Sequence, residues 1–129
     1  MTTDKLIDVS TLRKIFIGDS IRRSLEADYY EWKLVNNYFL EGKMWAIYDK
    51  QKVIGMASFT PKKFKFCSEI IIASEIGDTF TDPNYQRQGI FSTLVNSVRE
   101  DALKYSRVQL LYGTPNENSL PGYEKKLNF

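Results

Sequence analysis

Apolar positions along this chain repeat with two periods, and the places where the period changes divide it into elements. From Ser10, the residues Leu12, Ile15, Phe16, Ile21 and Leu25 fall at helical spacing broken near Gly18, and "DYYEWKLVNNYFL" continues as a second helical pattern. The period then shortens. "MWAIYDK" and "KVIGMASFTP" are β-rich runs joined around Asp49–Lys52, which predicts an antiparallel hairpin that Pro61 ends. The polar "PKKFKFCS" reads as a loop. "EIIIASEIGDTFT" reads as a long strand whose tail alternates Ile76, Asp78 and Phe80 against Glu75, Gly77, Thr79 and Thr81. In a regular strand Glu75 and Asp78 face opposite ways, a relation that a bulge would reverse.

Ile90, Leu94, Val98 and Leu103 return to helical spacing and predict a helix from about Gly89 to Tyr105. "RVQLLYGTP" follows as a strand. "NSLPGYEKKLNF" closes the chain as a helix with Pro121 in its first turn, where a missing amide costs least. The predicted order is two helices, three strands, a helix, a strand and a helix, an α/β arrangement with a mixed sheet. Neither an internal repeat nor a Pro/Gly/Ser-rich linker interrupts it, so residues 1–129 read as one domain.

Composition narrows the chemistry. A hydrophobic fraction of 43% with 14% aromatic residues argues for a folded core, and a net charge of +2 is too small to make nucleic acid the main partner. Lys62, Lys63 and Lys65 alternate with Phe64 and Phe66 in a pattern that single-stranded nucleic acid would suit, but a solvated loop between strands accounts for it more simply. With no histidine and the single cysteine Cys67, the chain lacks the commonest metal ligand and general base and cannot form an internal disulfide; no metal is expected. "MTTDKLID" is not a secretory signal, and no apolar run approaches the roughly 20 residues that span a bilayer. The expected setting is the cytoplasm, with no membrane partner.

The candidate chemistry begins at "PNYQRQGIFSTL". A turn followed by Gln86-Arg87-Gln88-Gly89-Ile90-Phe91 at a helix start presents backbone amides and a helix dipole to an anion, and a pyrophosphate fits that description. A capped strand-to-helix turn is the plain alternative.

"TDPNYQRQGIF" resembles the acetyl-CoA loop of the GNAT acetyltransferase superfamily, Gln/Arg-x-x-Gly-x-Gly/Ala after a strand, with Gln86 and Gly89 in place and Phe91 where the family has a small residue. A second match lies downstream: "PNENSLPGYEKKLNF" is similar to the family pattern Asn-x-x-Ala-x-x-x-Tyr-Glu-Lys-Leu-Gly-Phe, with Asn116, Ser119 and Tyr123 in register. The combination looks closest to bacterial members with GDTxTHPxYRGKGxF and YGxPNxNS segments. Those members continue with two further strands past the last helix, so the resemblance implies a GNAT fold truncated after its fourth helix: a fragment, or a short form whose sheet a partner completes. Its acetyl-CoA-binding core would be residues 69–129.

The resemblance implies roles. Amides of Arg87, Gln88, Gly89, Ile90, Phe91 and Ser92 would hold the pyrophosphate of acetyl-CoA, and the backbones of Thr79, Phe80 and Thr81 would pair with its pantetheine arm. Glu75, eleven residues before Gln86, matches a general-base glutamate, and partial burial would raise its pKa. Tyr123 matches the general acid for the departing thiolate. Asn116 would reach the pantetheine or cap the last helix. Asp78, Tyr29 and Trp32 are candidates for contact with the acceptor, since Tyr29, Tyr30, Trp32, Tyr38 and Phe39 lie where family members shape that pocket. Each residue also has a plain reading: a strand threonine, a solvated glutamate, a core tyrosine. Cys67 reads as packing.

The implied function is acetyl-CoA-dependent N-acetylation of a small-molecule amine or amino sugar. The alternative is a non-catalytic acyl-CoA-binding module or the N-terminal part of a larger acyltransferase. Leu110 and Leu111 put one apolar side chain on each face of a strand expected at an open sheet edge, so a homodimer is expected.

Overall fold

Five strands lie side by side in chain order in this computed structural model, which describes residues 2–4 (backbone only), 28–50, 52–104 and 108–129. They are β1 (Thr2–Asp4), β2 (Lys43–Asp49), β3 (Lys52–Phe66), β4 (Glu69–Thr81) and β5 (Leu110–Gly113). The first three pairings are antiparallel and β4–β5 is parallel. A parallel pair needs a crossover, and α1 (Ile90–Lys104) supplies it; α2 (Leu120–Lys126) follows β5. The helical pattern from Leu12 to Leu25, and Tyr105, lie outside the described residues.

α1 buries Ile90, Leu94, Val95, Val98 and Ala102 against the sheet, while Leu103, expected on the inner face, is 57% exposed. Each fully buried Leu or Val contributes about 1.5–3 kcal/mol relative to exposure, so packing holds this helix more than local propensity does. With Tyr123 and Leu127 of α2, these side chains meet Ile47, Ile54, Ala57, Phe59 and Ile76 in the main core. On the other sheet face Leu34 packs with Met44 and Ala46.

Two bulges decide which side chains face which layer. The β2–β3 register skips Ile54, so Ile54 joins Ala57 and Phe59 on the α1 side although the alternation of a regular strand would part them. On β4, Gly77 pairs with Ser58 and Phe80 with Met56, which leaves two residues, Asp78 and Thr79, opposite Ala57 alone. Asp78 takes φ +51 there.

Several expected boundaries move. Pro61 does not end β3: it pairs in register with Ser74, and the strand runs on to Phe66, so "PKKFKF" is strand and not a loop. Proline is tolerated because β2 stops pairing at Phe59, which leaves that side of β3 without a paired strand among the described residues. The reversal occurs at Cys67 and Ser68, both with positive φ (48 and 70), as a two-residue hairpin of the primed type requires. Cys67 is exposed at this tip, not packed. β1 is a strand that periodicity does not predict, because three residues are too few to show alternation. The second helical pattern stops early: residues 28–30 are helical, Glu31–Val35 form a π-helical turn, and Asn37 Oδ1 then accepts from the amides of Phe39 (2.9 Å) and Leu40 (3.4 Å), turning the chain towards β2. At the β5 edge, Leu111 packs on the core and Leu110 remains 42% exposed.

Candidate functional site

β4 and β5 pair only from Ala73–Leu110 to Ile76–Gly113. β4 then continues to Thr81 with no β5 residue beside it, so the two strands open into a fork whose β4 wall is paired with no other strand on that side among the described residues. A cavity of about 290 Å³ occupies the fork, lined by Glu75, Gly77, Asp78, Thr79, Asn116 and Tyr123 among others. A second cavity, about 440 Å³, lies on the face of the π-helical turn and is lined by Tyr29, Trp32, Tyr38, Phe39, Lys62 and Glu75 among others. Glu75 and Lys33 border both.

The β4 bulge turns Asp78 to the side of Glu75, so the opposite-face expectation for a regular strand does not hold and the bulge alternative does. Asp78 Oδ2 accepts from Ser58 Oγ (2.6 Å) and pairs with Lys33 Nζ (2.7 Å). Glu75 is ion-paired to Lys62 through Oε2, while Oε1 accepts from Thr114 Oγ1 at 3.3 Å. Burial pushes the Glu75 carboxyl up, but the hydrogen bond and charge of Lys62, the charge of Lys33 and the Thr114 hydroxyl outweigh it and hold the group below the usual range. This corrects the expected upward shift: burial acts as foreseen, and a lysine from the supposed loop cancels it. The Lys62 ammonium is held above its ordinary value, chiefly by the same hydrogen bond.

Tyr123 stands in the fork, 5% exposed, with its ring fixed edge-on between Phe91 (5.3 Å) and Phe129 (5.2 Å). Burial pushes its phenol up and a hydrogen bond with Thr79 opposes this weakly, so the hydroxyl keeps its proton through neutral pH. Gly122, the preceding residue, is required by the same packing: a Cβ there would lie 2.6 Å from Phe91 Cε1. Phe91 therefore turns its ring towards α2. Asn116 and Ser119 cap one another, Asn116 Oδ1 accepting from the Asn118 and Ser119 amides (3.1 and 3.0 Å) and Ser119 Oγ from the Asn116 amide (3.1 Å). These bonds fix the turn that leads into α2, but the N-cap of α2 is Ser119, without a side-chain cap bond, so the capping role expected of Asn116 falls one turn short of the helix; the residue borders the fork.

Asp82 caps the 3₁₀ turn Pro83–Tyr85 by accepting from the Asn84 amide (2.9 Å), and Lys52 pairs with it at 2.6 Å. The loop then passes through Arg87 (φ +63) and Gly89 (φ +79) into α1. The first intrahelical bond here runs from the Thr93 amide to the Gly89 carbonyl (2.9 Å), so the amides of Ile90, Phe91 and Ser92 have no intrahelical acceptor. A Cβ on Gly89 would meet nothing within 4 Å. Glycine suits the left-handed backbone, and the space beyond it is open for an anion that the amides would receive.

Of the acceptor candidates, Tyr29 and Trp32 border the larger cavity, 47% and 66% exposed, with their rings 5.9 Å apart; Asp78 borders the fork. Lys33 carried no signal in the sequence, and Lys62 stood out only within the Lys/Phe alternation of a supposed loop. Its signal was positional: Lys62 and Glu75 share a face once "PKKFKF" is recognised as a strand paired in register with β4.

The sequence model of the Acetyltransferase (GNAT) family matches residues 9–129. No curated protein matches by sequence. Among solved structures, a predicted acetyltransferase with acetyl-CoA from Clostridium acetobutylicum is 16% identical with a TM-score of 0.75, covering 96% of this chain and 88% of its own. Glucosamine-6-phosphate N-acetyltransferase from Arabidopsis thaliana is 14% identical with a TM-score of 0.70, covering 97% and 90%, and an acetyltransferase from Trypanosoma brucei is 20% identical with a TM-score of 0.68, covering 96% and 89%. At such identities these likenesses speak for the mixed α/β acyltransferase fold. The family match, which spans nearly the whole sequence, goes further: this chain belongs to the GNAT acetyltransferase family and is an N-acetyltransferase.

Proposed function

We propose that the chain transfers an acetyl group from acetyl-CoA directly to the primary amine of a small molecule or amino sugar. The observation that carries this reading is the position of Glu75, one carboxylate bordering both the aromatic cavity and the fork between β4 and β5. An amine in the first would lie beside a thioester in the second.

The Arg87–Ser92 amides and the N-terminus of α1 would hold the pyrophosphate, and the open β4 edge at Thr79, Phe80 and Thr81 would pair with the amides of the pantetheine arm as an added strand would. Asn116 would border that arm. Glu75 takes the ammonium proton, directly or through water; the freed nitrogen forms the C–N bond as the C–S bond breaks; the thiolate takes the phenolic proton of Tyr123. The reaction needs no covalent enzyme intermediate, in keeping with Cys67 at the far hairpin tip. The faces of Tyr29 and Trp32 suit the C–H face of a sugar ring, with Asn36 and Asn37 on the same cavity wall as polar partners. A cytoplasmic setting, where acetyl-CoA is at hand, belongs to this reading.

Glu75→Gln tests the assignment. Turnover near neutral pH should fall about 10²-fold, and the deficit should shrink as pH rises and the amine loses its proton unaided. In the native enzyme the acid limb of kcat/KM should lie below the ordinary glutamate range, because Lys62 and Lys33 hold the carboxyl down. A Glu75→Gln profile parallel to the native one would remove Glu75 from the chemistry.

A further inference from the structure

We infer that Lys62 determines acceptor specificity: its ammonium occupies, in the free protein, the place on Glu75 that the acceptor's own ammonium takes, so the base is released only to an incoming cation. The inference rests on the proposed role of Glu75 and adds a residue and a selection rule to it.

Both carboxylate oxygens of Glu75 are engaged, Oε1 by Thr114 and Oε2 by Lys62. Thr114 donates from an uncharged hydroxyl at a long 3.3 Å, so the cationic partner at Oε2 is the one an acceptor's ammonium must replace. The groups facing Glu75 among the described residues are Lys62 from β3, Lys33 from the π-helical turn, and Tyr112 and Thr114 from β5 and the loop after it. Lys33 is committed elsewhere, 2.7 Å from Asp78 and only 16% exposed. Lys62 is 45% exposed, borders the larger cavity, and sits on the part of β3 that β2 does not cover. It is therefore the cation with room to leave. Exposed pairs of this kind are worth at most about 1 kcal/mol, a weight that one incoming ammonium can match and a neutral hydroxyl cannot. The cavity should thus take an amino sugar in preference to the same sugar bearing a hydroxyl.

The experiment compares Lys62→Met, Lys62→Arg and, as a control on an exposed part of β3 that borders neither cavity, Lys65→Met. Glucosamine KM is read by CoA release, and the Glu75 carboxyl is titrated by NMR in ¹³C-glutamate-labelled protein without acetyl-CoA. Lys62→Met should lower KM about fivefold, the weight of the pair it removes, and should move the Glu75 titration upward, because burial then acts against fewer cations. Lys62→Arg should keep the titration low and KM no lower than native, and Lys65→Met should match the native protein in both. A Glu75 titration unmoved in Lys62→Met, or an unmoved KM in an active enzyme, overturns the inference. A native protein inactive on every amine would count against the proposed function instead, and the titration would still decide the role of Lys62.

Discussion

Replacing Tyr123 by phenylalanine should lower the acetylation rate about 10²-fold while leaving acetyl-CoA binding nearly intact. The substitution deletes one oxygen from a ring that Phe91 and Phe129 fix edge-on, so the packing of α2 persists. Removing the buried hydroxyl should change stability by about 1 kcal/mol. A 10²-fold rate effect corresponds to about 2.7 kcal/mol in the barrier, well above that change, so the two consequences separate in experiment. Thermal unfolding should show a folded protein with a slightly lower Tm, and stopped-time assays should show the rate deficit. Native turnover in this variant would return Tyr123 to a packing role.

The second large effect concerns the loop ahead of α1. Acetyl-CoA at a hundred times its Kd should stabilise the native protein by about 2.7 kcal/mol, since it binds the folded state alone. Gly89→Glu should abolish that gain, because a carboxylate would stand in the open space before the Ile90, Phe91 and Ser92 amides. The φ of +79 adds a backbone cost for any side chain, so Gly89→Ala is the necessary companion. Alanine bears the same backbone cost without the charge, and a Cβ there touches no protein atom within 4 Å. The alanine variant should start from a lower Tm and still respond to acetyl-CoA more than the glutamate variant does. Equal responses in native and Gly89→Glu protein would place the pyrophosphate elsewhere.

The parts of this architecture that periodicity carries were legible in the sequence: α1 and α2, the long β4, the hairpin of β2 with β3, and the Gly89 loop at a helix start. What was not legible depended on backbone states that residue type conceals. Cys67 and Ser68 make a turn with two positive φ values where glycine or asparagine would have announced it, so "PKKFKF" read as a loop and Lys62 never came beside Glu75. Pro61 looked like a terminus because a sequence does not say which side of a strand lacks a neighbour. The β4 bulge follows from register with Ser58 and Met56, which are distant in sequence, and it alone brings Asp78 round to Lys33. The motif singled out Asn116 and Tyr123, and both border the fork. The low-lying Glu75 carboxyl was not, because burial was weighed without the lysine that opposes it.

In the proposed reaction one site binds acetyl-CoA and passes its acetyl group to an amine. Its most direct test is calorimetric titration of the native protein with acetyl-CoA, followed in the same sample by addition of amines, glucosamine among them, with release of the CoA thiol recorded. Binding should be saturable at one acetyl-CoA per chain, with no thiol release until an amine is present and release matched by an N-acetylated product. Tight binding with no amine-dependent release across the panel would contradict it and leave a module that holds acyl-CoA without using it.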